Sequence, residues 1–257
     1  MSLEALVAAE AMKVSVNNTP PGYRWRSRDN YRIPSSGMPD YPRHACPGQH
    51  GRGAHVDLFS WVALLSSIIS DIELYLGLPE TVPKRLWLGW LDAAHWDARH
   101  QRYADRAGCS ADSFSPYVGY ANLYPLLLGI VDNKERALKV IELAKAELMT
   151  QYGMMSVSYA SVRAARHAGL RHDNRWMGHI WISTNVLMAH ALRTKYVGLL
   201  GEPATELFNQ LRSSMLKTSG ETPWVREAYN PVEGSAESTV SLMADRAIWL
   251  GLLERSR

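Results

Sequence analysis

HVDLFSWVALLSSIISDIELYLGL, residues 55–78, is apolar on all but a narrow stripe. A helix of that kind belongs inside a protein, with neighbours on most of its sides. Its apolar run, Leu58 to Ile69, is interrupted by serines and is shorter than a bilayer requires. The reading is therefore a buried helix of an all-α core and not a membrane span.

Working outward, the helical pattern continues almost without a break. ETVPKRLWLGWLDAAHWD (80–97) reads as a second helix and YVGYANLYPLLLGIVD (117–132) as a third, with Pro125 inside it. DNKERALKVIELAKAELM (132–149) is the cleanest amphipathic helix, opened by an Asp/Asn cap and an acidic first turn. Further helices are expected at 2–14, 180–200, 202–217 and 236–254. Residues 17–53 form a long irregular stretch rich in Pro and Gly, and 150–178 and 218–235 are again long and polar. Alternation of period two is scarce. Connections alternately short and long suggest helical hairpins around one axis, bringing loops 30–54, 168–179 and 221–235 to one end. An α/α toroid, an irregular bundle and a solenoid all satisfy that pattern.

The chain has 257 residues, enough for a sizeable core in one domain or two. Its net charge of +3 is spread along the chain rather than clustered, which gives no basis for a nucleic-acid partner. Cys46 and Cys109 are read as buried thiols rather than a disulfide. The start, MSLEALVAAEAMKV, has no basic n-region and does not read as a signal peptide. Asn17 opens a formal glycosylation sequon that Pro20 weakens. Three Phe stand against nine Trp and twelve Tyr, a bias that suits stacking on sugar rings or the packing of helices equally well.

Three segments carry titratable and aromatic groups together. The first is the loop before residue 58, with Asp40, Arg43, His44, His50, His55 and Asp57. The second is HDNRWMGHIWIST (172–184), and the third is PWVREAYNPVEG (223–234), with Glu227 and Glu233. No HExxH, CxxC, GxSxG or Gly-rich phosphate loop occurs, so no metal or other cofactor is expected and a serine nucleophile is not indicated. Carboxylates on separate loops beside aromatic residues are what glycoside hydrolysis requires. Helix caps and salt bridges explain the same residues.

Four ordered stretches then point to a family. YRWRSRD (23–29), SGMPDYPR with the following HVDL, RWMGHIW (175–181) and REAYNP (226–231) resemble the C-terminal half of glycoside hydrolase family 63, whose strings run YRWRGRD, SGLDDYPR…HVDL, YWRGPIW and WEQYDPxTG. The resemblance extends from Tyr23 to Gly234 and includes LDAAHWD, YADR and YGMMSVS. It implies an (α/α)6 toroid-type helical barrel, all-α, and an inverting mechanism with one carboxylic acid and one carboxylate base roughly 6.5–9.5 Å apart. It implies an α-glucoside as substrate, such as the terminal glucose of N-glycan precursors, hence an oligosaccharide or small glucoside as partner and the lumen of the endoplasmic reticulum as compartment. The base falls on Glu227. Trp25, Arg26, Arg43, Trp176, Trp181 and Tyr229 fall on sugar-lining positions.

The departures are specific. The family's acid position is Pro39, which has no proton to give, and the neighbouring Asp40 is the candidate acid. Met177 stands where the family has Arg, and Arg226 where it has Trp. Only about eight or nine helices are expected, against twelve in a closed barrel, and the relatives' N-terminal β-sandwich has no counterpart. The chain, read as one domain over 1–257, is thus expected to pack against another chain or a second copy that covers the absent helices. An active inverting glucosidase and a catalytically inactive relative serving as a binding or structural subunit are both consistent with this pattern.

Overall fold

The computed structural model describes residues 23, 38, 41, 42, 53–107, 113–169, 176–219 and 226–237. The helices expected at 2–14 and, but for its first two residues, 236–254 lie outside them, as do Cys46 and Cys109.

Helix α1 (Val56–Tyr75) is followed by α2 (Lys84–His95), α3 (Tyr120–Leu127) and α4 (Lys134–Leu143), and α4 runs on through a π-helical turn to Leu148. After α5 (Tyr159–His167), α6 (Ile182–Ala191) continues through a second π turn into α7 (Val197–Leu200), and α8 (Glu202–Ser219) returns. The far-end connections are short: residues 76–83, 128–133 and Gly201. The near-end ones are long and hold three two-residue antiparallel ribbons. These are β1 (Trp96–Asp97) with β2 (Arg102–Tyr103), β3 (Met149–Thr150) with β4 (Gly153–Met154), and β5 (Ile180–Trp181) with β6 (Ala228–Tyr229).

The order of contacts follows from this. Helices α1, α3 and α6 stand side by side, each starting at the near end. Behind them the return helices pack, α2 on α1, α4 on α3, and α8 on the α6–α7 helix and on α4. Phe59, Trp87, Leu123, Leu126, Ile141 and Tyr196 are fully enclosed between the two layers. An aromatic cluster ties α1 to α2, with Phe59 edge-on to Trp87 at 6.3 Å and to His95 at 5.4 Å.

Local chemistry sets the helix ends. Asn133 caps α4 by accepting from Arg136 N (3.0 Å), as the sequence predicts. His55 provides no side-chain cap for α1; Asp105, forty-nine residues away, accepts from Val56 N instead (2.9 Å). Gly119 opens α3 through a reciprocal bond with Asn122 (2.7 Å), and a Cβ on it would lie 2.4 Å from Ser156 O.

Two expectations need correction. Residues 150–178 are not one long loop, because α5 occupies Tyr159–His167; the cap Ser158 and the terminal Gly169 (φ +80°) are its signals in the sequence. The third helix is eight residues long and not sixteen, closed by Gly129 at φ +66°. By length and composition α1 as a whole is apolar enough to cross a membrane. It nevertheless packs on α2 and α3 through a side that buries Asp57, Ser60, Ser66, Ser67 and Ser70, which marks a bundle helix.

Candidate functional site

A chain of backbone bridges forms a rim at the near end. Ala54 pairs with Arg106, and Arg106 with Phe114. Gly119 pairs with Val157, Met155 with Ile180, and Tyr229 with both Ile180 and Ala236. Helices α1, α3, α5 and α6 all begin from this rim, so several helix N-termini converge there, a setting that favours negative charge. Of the expected gathering, the structure brings β5, which directly follows 168–179, onto β6 within 221–235, where the two are hydrogen-bonded partners. The opening loop reaches the rim as well, with His55 N donating to Tyr23 O (2.8 Å) and Ala121 N to Tyr41 Oη (3.2 Å).

Glu227 lies immediately before β6 and is half-buried. Its carbonyl accepts from Ile182 N (3.3 Å), which fixes the Glu227 main chain to the first residue of α6. Tyr229 is buried and its hydroxyl accepts from Arg226 N (2.8 Å); burial holds the Tyr229 phenol above its ordinary pKa. The rings of Trp176 and Trp181 stack at 3.7 Å with 7° between their planes, and are 9% and 7% exposed. Each therefore offers one ring face to the other. Tyr120 stands edge-on to Trp176 at 6.4 Å. Gly178, between the two tryptophans, has φ +117° and donates its N–H to Ser156 Oγ (3.0 Å). Met177 is buried against Tyr117 and Ala165, so the family's arginine position here is filled by an apolar contact.

Among the nominated residues, the rim thus brings together Glu227, Tyr229, Trp176 and Trp181. Asp40, Pro39, Trp25, Arg26 and Arg43 lie outside the described residues, as do His44 and His50. His55 and Asp57 are buried at the start of α1.

Residues that sequence reasoning passed over surround this site. Asp105 holds the α1 N-terminus, and Tyr120 and Asn185 form a fully buried polar network. The one signal for Asn185 is a lone amide inside the apolar stretch IWISTNVLMAHAL.

The family model for the glycosyl hydrolase family 63 C-terminal domain matches residues 9–249. The chain belongs to glycosyl hydrolase family 63. It is 29% identical over 239 residues to a probable mannosyl-oligosaccharide glucosidase of Schizosaccharomyces pombe, covering 85% of this chain and 28% of that protein. Against the mannosyl-oligosaccharide glucosidase of Saccharomyces cerevisiae the identity is 25% over 255 residues, covering 91% and 30%. This family 63 chain thus spans less than a third of the length of these relatives. Among solved structures, a family 63 mannosylglycerate hydrolase from Thermus thermophilus in complex with glucose aligns at TM-score 0.57 and 18% identity, over 79% of this chain and 48% of that one. A neutral trehalase from Saccharomyces cerevisiae aligns at TM-score 0.57 and 18% identity, over 80% and 38%. At that identity both are likenesses of fold.

Proposed function

We propose that this chain carries the carboxylate side of an inverting glycoside-hydrolase site for α-glucosides, the terminal glucose of N-glycan precursors among them. Glu227 is the general base that activates water, and Asp40 takes the acid role that Pro39 leaves open. Trp25, Arg26, Arg43, Trp176, Trp181 and Tyr229 line the sugar. The observation that carries this reading is the placement of Glu227 in a family 63 chain. It is half-buried at the rim, and its main chain is tied to the helix that follows the paired tryptophans. The three side-by-side hairpins support reading the chain as an arc of an (α/α)6 toroid. The compartment consistent with this substrate is the lumen of the endoplasmic reticulum.

The test is glucose release from an aryl α-glucoside and from a glucosylated oligosaccharide, with the anomer formed first read by NMR. Glu227→Gln is expected to lower kcat by about 10²–10⁴-fold, the usual contribution of a positioned acid or base. Unchanged turnover in that variant would overturn the assignment.

The partner reading rests on α1. Its outward face leaves Leu65 43%, Ile68 44%, Ile72 51% and Tyr75 89% exposed, a run of apolar residues at helical spacing that favours further packing. Another chain, or a second copy of this one, supplies the covering helices.

A further inference from the structure

Trp181 joins two features of the rim. In the β5–β6 ribbon Ile182 donates to Glu227 O, so the alternation of an antiparallel ladder turns the N–H and C=O of Trp181 away from β6. Side chains take both groups. Trp181 N donates to Tyr120 Oη (3.2 Å), and Asn185 Nδ2 donates to Trp181 O (2.8 Å). The same Nδ2 reaches Tyr120 Oη and Met154 O, each at 3.0 Å, while Asn185 Oδ1 accepts from Met154 N (2.7 Å). The Tyr120 hydroxyl completes the set by donating to Met154 O. Both side chains are fully buried. Burial pushes the Tyr120 phenol far above its ordinary pKa, so it stays a donor at any working pH.

We propose that Tyr120 and Asn185 are positioning residues for Glu227: they fix the Trp181 peptide, Trp181 fixes the turn into α6, and Ile182 N holds the Glu227 main chain. The catalytic half of this proposal rests on the reading of Glu227 as base. Neither residue touches the sugar; both act through the β5–β6 ribbon. A satisfied, buried network of this kind holds one geometry, and a base displaced by about 1 Å loses on the order of 10²-fold in rate.

The experiment compares two phenylalanine variants. Tyr120→Phe removes the hydroxyl at the rim. Tyr196→Phe removes an equally buried hydroxyl that accepts from Val131 N (3.2 Å) in the short connection between α3 and α4. Tyr120→Phe is expected to lower kcat about 10- to 100-fold on an aryl α-glucoside with KM within about twofold, and Tyr196→Phe to leave both unchanged. Amide hydrogen exchange at 180–182 and 226–229 is expected to quicken at least about tenfold in Tyr120→Phe alone. Equal losses in the two variants, or exchange at 226–229 that does not respond to Tyr120→Phe, overturns the proposal. Glu227→Gln is assayed alongside. If it is as active as the wild type, or if the chain shows no turnover, the base reading falls, and the exchange pattern alone then decides the coupling.

Discussion

Helices α1 and α6 are both largely apolar, both start at the rim, and they meet water in opposite ways. Helix α6 buries Ile182, Thr184, Asn185, Val186, Met188, Ala189 and Ala191, so its apolar residues other than Leu187 lie inside and its one amide is fully bonded. Helix α1 buries four serines with Phe59 and Ala63 and turns Leu65, Ile68 and Ile72 outward. Apolar composition alone does not place a helix at the centre of the layers. What does so is the polar residue that has been wired in, because a buried amide is tolerated only where every partner is supplied.

Replacing that amide gives the largest expected effect. Asn185→Leu leaves Met154 N and Trp181 O without their side-chain partner at a buried site, with only the Tyr120 hydroxyl left on Met154 O, and is expected to cost about 3–5 kcal/mol in urea-induced unfolding. On α1 the matching change is Ser66→Ala. Ser66 Oγ is buried and has no hydrogen-bond partner among the described residues, so its removal is expected to be neutral or stabilising by up to about 1 kcal/mol. Similar losses in the two variants would erase the distinction between the helices.

The next effect is set by pH and lies between α1 and α2. His95 is fully buried; its Nδ1–H donates to Ala104 O (2.9 Å) and its ring lies edge-on to Phe59. Desolvation lowers its pKa from 6.5 to about 4, against the raising effects of the Ala104 bond, Asp105 and Asp57. A histidine depressed in the folded state is neutral in both states above pH 6.5, so its contribution to stability is fully present there. It is lost as pH falls from 6.5 towards 4, because the unfolded chain takes up the proton first. His95→Leu is expected to flatten the stability profile across that window by a few kcal/mol relative to the wild type, read as the difference between two pH series of urea midpoints. Parallel profiles would mean that water reaches the ring.

These two regions also show what the sequence discloses. The long helices were legible because a 3.6-residue apolar period over eighteen residues has few other causes, and α4 carried its own cap in Asn133. Helix α5 was hidden by a polar, arginine-rich surface face, although Ser158 and Gly169 mark its ends. The ribbons are two residues long, too short for any period to register. The composition of its segment nominates Glu227 together with Glu233, and only the family resemblance singles it out as the base. Tyr120 and Asn185 were out of reach because their role depends on peptides thirty to sixty-five residues away. The exposed face of α1 was likewise invisible: the periodicity that predicts an enclosed helix does not say whether the neighbours are present.

The smallest effect on stability belongs to that face, and it bears most directly on the comparison. Ile68 and Ile72 stand one turn apart on the outward side of α1, beside Asp71, which is exposed and paired with Lys84 at 3.4 Å. An isoleucine already half in water contributes little to the folded monomer, so the double variant Ile68→Lys, Ile72→Lys is expected to move the unfolding midpoint by less than about 0.5 kcal/mol. If another copy covers the face, two buried lysines without partners are incompatible with that contact. The wild type is then expected to sediment above its 28.8 kDa monomer mass at tens of micromolar and the variant at that mass. A wild type that sediments as a monomer would exclude the second copy and leave a different chain as the cover. A double variant that loses several kcal/mol as a monomer would show that α1 is enclosed by its own chain, as α6 is.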